Sequence, residues 1–326
     1  MTPRPVTACI QRYLTLKAAL GRRYDVERRV LRHLEAFLRT EGRQRDLTPA
    51  TFAQWCLSHA HLASGVRRNR MRIVRNLCLY RRRTDATCFV PDARLFPPCH
   101  QRRRPYLFTE ADIVRLLAEA ATLGPTLGSP LRADTYRLAV ILLYTAGLRR
   151  GELTRLTVGD YDRETQVLHV RASKFHKSRL VPLSGDAAAG IAAYLHLRRY
   201  RGFPADADTP LLWHRTRPGA PYTGAGLAQG LRHLFRQAGL TGPGGGGARV
   251  HDLRHTFAVH ALSRWYRAGI DVQSKLPALA AYLGHVSIVS TAHYLHFVAP
   301  VSTAASARFA QRYGRGITPD MKDGAP

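Results

Sequence analysis

Apolar positions recur at helical spacing along most of the chain, and only one short stretch alternates. Val6, Ile10, Tyr13, Leu14 and Leu20 repeat with a helical period, and Val30, Leu31, Leu34, Phe37 and Leu38 do so in the next segment. Thr48-Pro49 opens a third helix as N-cap and first helical residue, with Phe52, Trp55 and Leu57 behind it. A fourth helix runs from Val66 to Arg83, with Met71, Val74, Leu77, Leu79 and Tyr80 as its buried stripe. Pro91, Pro97, Pro98 and Pro105 then predict a structureless linker over 91–105.

Beyond the linker, Thr109 and Asp112 fit a capping box ahead of Ile113, Leu116 and Leu117. A strongly apolar helix follows, Tyr136 to Ala146, stopped by Gly147. Residues 167–171 and 179–183 alternate like the two arms of a β-hairpin. Helices are expected at 184–200 and 223–238, from His251 onward, and over Ala278 to Leu283. Pro204 to Pro221 and the glycine run 242–247 read as loops, and a short helix over Thr303 to Tyr313 precedes a disordered end. The pattern predicts a mainly α protein with a small β-hairpin or sheet. It divides into a helical domain (1–90), a linker (91–105), a second domain (106–300) and a C-terminal tail (301–326).

Charge sharpens this picture. The 326 residues carry 50 Lys and Arg against 22 Asp and Glu, a net of +28, which calls for a polyanionic partner such as nucleic acid. The excess is steepest in residues 1–104, with 23 basic against 7 acidic side chains. Arg67, Arg68, Arg70, Arg72 and Arg75 crowd the fourth helix, and Arg102, Arg103 and Arg104 sit in the linker. These eight are the candidate contacts to DNA phosphates. The cations are nearly all arginine; the lysines are Lys17, Lys174, Lys177, Lys275 and Lys322. Lysine can give up a proton where arginine cannot, so each lysine stands out.

The five cysteines lie between Cys9 and Cys99 without a CxxC pair, which argues against a disulfide framework and a zinc site. No apolar run reaches the length of a membrane span, and the N-terminus lacks a signal-peptide core. No membrane association is expected, and the protein is predicted to be cytoplasmic and DNA-associated.

Three places carry candidate chemistry. Arg149 and Glu152 lie three apart at a helix start, where free N–H groups and a steadied guanidinium can clamp a phosphate. Lys174 and Lys177 sit in the hairpin connection. His251 and Arg254, three apart on one helical face, precede His285 and Tyr294. His255 follows His251 by four, so an HxxxH metal site has to be weighed; with no cysteine past residue 99 and an apolar run behind it, His255 reads as structural. No metal site is expected.

Taken together, TAGLRRGELTRL (145–156), K-x-x-K-x-R-x-x-P-L (174–183), HDLRHTFA (251–258), LGH (283–285) and TxxYLH (291–296) resemble the tyrosine recombinase, or phage integrase, family in order and spacing. The resemblance implies a tyrosine-recombinase catalytic domain behind a helical core-binding domain, and site-specific DNA cutting and rejoining for integration, excision or transposition of a mobile element. It implies that Arg149 and Arg254 hold the scissile phosphate, Lys174 protonates the leaving 5′ oxygen, and His251 assists proton transfer around the nucleophile. His285 would help bind the phosphate, Tyr294 would form a 3′-phosphotyrosine bond, and Glu152 would support the set. Two arginines stabilise charge on the non-bridging oxygens, and the covalent ester retains the bond energy, so neither metal nor nucleotide cofactor is called for. Double-stranded DNA is the implied partner, with a homotetramer assembled on it through the C-terminal tail and accessory recombination proteins as further partners. Ser173, Phe175 and His176 stand where the family usually has glycines, which leaves Lys177 as an alternative acid, and Arg150 adjoins Arg149. Two other functions remain open at this point: a type IB-like topoisomerase, and a non-catalytic DNA-binding regulator derived from a recombinase.

Overall fold

A computed structural model describes residues 6–22, 24–40, 46–98, 104–171, 178–216, 220–241 and 247–297. Lys174, Lys177, Arg102, Arg103, most of the glycine run and the C-terminal tail lie outside the described residues. The chain divides into two compact units, residues 1–103 and 104–326.

The first unit holds helices α1 (Val6–Ala19), α2 (Asp25–Thr40), α3 (Pro49–Leu57) and α4 (Ser64–Arg81). Their apolar faces meet around Leu31, Leu34, Trp55 and Leu77. Thr48 caps α3 by accepting the Thr51 N–H at 3.1 Å, with Pro49 at the first position. The stripe of α4 is rotated from the expected one. Ile73, Val74, Leu77, Cys78 and Arg81 are buried, while Leu79 is 41% exposed. Arg81 lies buried with its guanidinium reaching two partly exposed carboxylates, Asp46 and Asp85.

The segment after α4 differs from a structureless linker. Residues Ala93–Leu95 form a 3-10 turn, and Phe96 is buried in the helical core. Arg75 donates to the Pro91 carbonyl at 2.5 Å and Arg68 to the Pro97 carbonyl at 2.8 Å. These carbonyls belong to a proline-rich stretch that cannot form its own ladder, so side chains of α4 satisfy them.

The second unit is built on α5 (Glu110–Ala121), α6 (Arg132–Thr145), the one-turn α7 (Arg150–Leu153), α8 (Gly185–Tyr200), α9 (Gly224–Gln237), α10 (Val250–Arg267), α11 (Val272–Leu283) and α12 (Val289–Ala292). A 3-10 turn, His293–Phe297, continues α12. The α5 capping box forms, with Thr109 and Asp112 each accepting the other's backbone N–H. Helix α6 is apolar on several sides because it runs through the core: Leu138, Ala139, Val140, Leu142 and Leu143 are all buried. Helix α11 starts earlier than expected, since Asp271 caps it and Pro277 is tolerated within it.

The hairpin is part of a three-stranded antiparallel sheet, β1 (Tyr161–Asp162), β2 (Val167–Val170) and β3 (Arg179–Pro182), in that order. Leu168 pairs with Val181 and both are buried, whereas His169 is exposed. Period-two alternation then places Arg179 on the same inner face as Val181. No helix among the described residues is long and apolar enough to cross a membrane.

Candidate active site

Three helix ends converge in the second unit. Helix α6 ends on Gly147, which adopts φ +57°. A Cβ there would stand 2.6 Å from Phe257 Cδ1 and 3.0 Å from Leu283 Cδ2, so glycine is required by both conformation and space. The Gly147 carbonyl accepts Nη1 of Arg254 at 2.6 Å. Leu148 is buried, and the chain turns directly into α7 with Arg149 as its cap residue.

Glu152, on the first turn of α7, is the hub of the local charge. Its carboxylate accepts the Arg149 backbone N–H at 2.9 Å and Arg149 Nη1 at 2.6 Å. From β3, Arg179 donates Nη1 and Nη2 to the two oxygens at 3.0 and 2.9 Å. This forked pairing fixes the plane of the carboxylate and therefore the direction of Arg149. The Glu152 side chain is only 1% exposed, which such a group tolerates because both oxygens are occupied by cations.

The same guanidiniums finish α11. Arg179 Nε donates to the Tyr282 carbonyl at 2.7 Å, Arg254 Nη2 to Leu283 at 2.6 Å, and Arg149 Nη2 to Gly284 at 2.8 Å. Three successive carbonyls that the helix leaves without partners are thus each met by a cation, at the negative end of the helix. Gly284 takes the left-handed conformation, φ +66°, that ends the helix and turns the chain toward His285. His285 Nδ1 lies 2.7 Å from the hydroxyl of the fully buried Thr291.

Tyr294 is 3% exposed and belongs to the same apolar cluster as Leu262, Leu279 and Leu283. Its hydroxyl is not left among apolar groups: His255 Nδ1 lies 3.1 Å from it. The His255 and His285 rings flank the phenol at 5.4 and 6.1 Å between centroids, and the His251 ring sits 4.6 Å from that of His255.

Burial and the arginines set the protonation states. Burial pushes His255 down to about 4, assisted by His251. Burial also lowers His285 to about 4, helped by Arg254 and Arg149. His251 is lowered by burial and then by Arg254. The Tyr294 phenol is raised by burial, against the pull of Arg254 and Arg149. Burial brings Arg254 down to about 10, so it is still charged at neutral pH. The histidines are neutral there. Three guanidiniums against one carboxylate leave a positive cluster beside the phenol. Arg254 Nε, buried, has no hydrogen-bond partner among the described residues. The arrangement suits a tetrahedral anion.

Of the residues singled out from sequence, Arg149, Glu152, His251, Arg254, His285 and Tyr294 come together, while Lys174 lies outside the described residues. The basic residues of α4 divide by role. Arg68 and Arg75 hold backbone carbonyls of their own unit, and Arg72 is exposed beside Asn69. Arg67 and Arg70 are half-buried, and Arg104 is exposed. Two members of the site escape sequence reasoning. Arg179 is present in the hairpin motif without a role, and its inner-face register was the available signal. His255 reads as structural because apolar residues follow it, although it shares a helical face with His251.

Residues 107–299 match the Phage integrase family. The chain belongs to that family, the tyrosine-type site-specific recombinases. Over 288 residues it is 34% identical to "Putative integrase/recombinase y4rB" of Sinorhizobium fredii, covering 88% of this chain and 91% of that one. It is 31% identical over 201 residues to the tyrosine recombinase XerA of Thermococcus kodakarensis, 62% of this chain and 61% of that one. The recombinase's fold resembles the Tn1549 transposon integrase in complex with transposon right-end DNA. The TM-score is 0.60 at 18% identity, over 93% of this chain and 99% of that one. It likewise resembles a lambda integrase dimer bound to a core site, with a TM-score of 0.59 at 15% identity over 98% and 99% of the two chains.

Proposed function

We propose that this recombinase cuts and rejoins double-stranded DNA with Tyr294 as nucleophile, in the integration, excision or transposition of a mobile element. The phenol oxygen attacks phosphorus, a 3′-phosphotyrosine bond forms, and the 5′ oxygen leaves with a proton from Lys174. Arg149 and Arg254 stabilise the charge that builds on the non-bridging oxygens, and His285 binds the same phosphate. His251 assists proton transfer at the nucleophile, and Glu152 holds Arg149. Arg67, Arg70, Arg72 and Arg104, with Arg102 and Arg103, are proposed contacts to the DNA backbone. The acting form is a homotetramer on DNA, linked through the C-terminal tail and served by accessory recombination proteins, in the cytoplasm.

The observation that supports this most is the meeting of Arg149, Arg254, His285 and Tyr294, from four separate stretches of chain, around one positive cluster. A nicked suicide substrate tests it. The unaltered protein becomes covalently attached to the DNA, and Tyr294→Phe binds without attachment. An adduct formed by Tyr294→Phe would remove the nucleophile assignment.

A further inference from the structure

We propose that His255 is a catalytic residue of this recombinase, the group that accepts the Tyr294 proton as the phenol attacks phosphorus. This rests on Tyr294 being the nucleophile, and it makes His255 the direct proton acceptor, with His251 assisting from behind through its ring contact with His255.

Two histidines flank the phenol and a third, His251, packs behind His255. The Nδ1 of His285 is engaged with the Thr291 hydroxyl at 2.7 Å, and its ring stacks on the phenol ring at 6.1 Å between centroids. His251 sits on the first turn of α10, and its ring contact is with His255. His255 is one turn further along the same face, and its Nδ1 stands 3.1 Å from the Tyr294 oxygen. Proton transfer requires a lone pair within hydrogen-bond reach of the proton, and His255 Nδ1 meets that geometry. Helix α10 holds His255 in place, because Arg254, the residue before it, is pinned at Gly147 and Leu283.

The electrostatics follow the same direction. His255 is neutral at physiological pH, so one ring nitrogen carries a lone pair, and in the tautomer with its proton on Nε2 that nitrogen is Nδ1. The groups that act on it are His251, Asp252 and Arg254 of α10, Arg249 at its start, and Tyr294 from the last turn; Asp252 favours the charged ring and the arginines oppose it. His285 and Arg149 act on the phenol's surroundings from the α11 end and from α7. Burial chiefly, and then His251, Arg249 and Arg254, hold His255 neutral, and a scissile phosphate brought against Arg254 offsets part of that charge. The affinity of His255 for a proton therefore rises when the substrate arrives.

The step balances. A phenol lone pair forms the O–P bond, and the phenol proton passes to His255 Nδ1. The P–O5′ bond breaks, and the 5′ oxygen takes a proton from the acid assigned to Lys174. When the 5′ hydroxyl attacks in the rejoining direction, His255 returns its proton to the departing phenol oxygen.

His255→Asn tests this, because the Asn side-chain oxygen can keep a hydrogen bond near the Nδ1 position but cannot take up the proton. Single-turnover attachment to a nicked suicide substrate is followed against pH, with DNA binding measured alongside. The expected result is binding at the level of the unaltered protein and attachment slower by about 100-fold or more. The variant's rate then climbs in proportion to hydroxide concentration where the unaltered protein levels off. Attachment by His255→Asn at the unaltered rate, or a slow rate with the pH dependence unchanged, would overturn the proton-acceptor role. Failure of the unaltered protein to attach at all would instead overturn the Tyr294 assignment, and His255's role with it.

Discussion

Arg149 and Arg179 grip the same carboxylate, that of Glu152, and also hold the carbonyls of Gly284 and Tyr282 at the end of α11. One buried acid thereby ties the start of α7, the last strand of the sheet and the segment bearing His285. Glu152→Gln leaves two half-buried guanidiniums facing a neutral amide. Removing one partner of a buried ion pair costs about 3 kcal/mol. The urea midpoint should fall accordingly, and covalent attachment should be lost with it. Arg179→Lys keeps the charge but not the fork, and should slow attachment while leaving DNA binding intact. A midpoint unchanged in Glu152→Gln would show that the carboxylate is not the hub.

Gly147→Ala combines two penalties. The residue sits at φ +57°, and the added methyl meets Phe257 at 2.6 Å. Left-handed backbone and overpacking together cost about 2–4 kcal/mol. Any relief requires the Gly147 carbonyl to shift away from Arg254. The measured outcome should be a lower melting temperature together with attachment reduced beyond what the unfolded fraction explains. Attachment that tracks the folded fraction alone would detach this carbonyl from the placing of Arg254.

Two arginines nine residues apart on α4 should behave oppositely. Arg81 is buried and paired with Asp46 and Asp85, so Arg81→Ala should destabilise the first unit, through the lost packing of its stem as well as the lost pairing. Arg72 is exposed, so Arg72→Ala should leave stability unchanged. It should instead weaken binding across DNA sequences and lower the salt slope by about 1. Denaturation curves and binding titrations at several salt concentrations separate the two. An Arg72→Ala salt slope equal to that of the unaltered protein would remove Arg72 from the interface.

Acid should loosen the site before it loosens the rest. His255 and His285 are held at about 4 in the fold, against 6.5 for a free imidazole. Their folded values are depressed, so between those limits the unfolded chain binds more protons and stability rises with pH. The contribution is complete above 6.5 and is lost as pH falls through 4. Urea midpoints should therefore drop across that window, and the double variant His255→Asn, His285→Asn should flatten the drop. A double variant with the unaltered slope would place the titration elsewhere.

Much of the fold could be read from the chain. The periodicity of α1, α2, α6 and α10, the Thr109–Asp112 capping box and the alternation on either side of residues 172–178 are local features, and local chemistry produces them. The motif residues Arg149, His251, Arg254, His285 and Tyr294 were legible for the same reason, since each sits in a short pattern of distinctive side chains. Leu79 and Arg81 were not. The stripe of α4 that turns inward carries Arg81, whose guanidinium reaches two partly exposed carboxylates beyond the helix, Asp46 and Asp85.

The amino-acid sequence alone determined the helical character, the cationic charge and the identity of the groups available for phosphoryl transfer. Only the tertiary structure decided how those groups are held. Arg149 reaches a carbonyl 135 residues away and Arg254 one 107 residues away. A carbonyl is the same at every position of a chain, so nothing in the residue types marks which ones an arginine will find. The contact between His255 and Tyr294 spans 39 residues and arises only once α10 packs against the last turn.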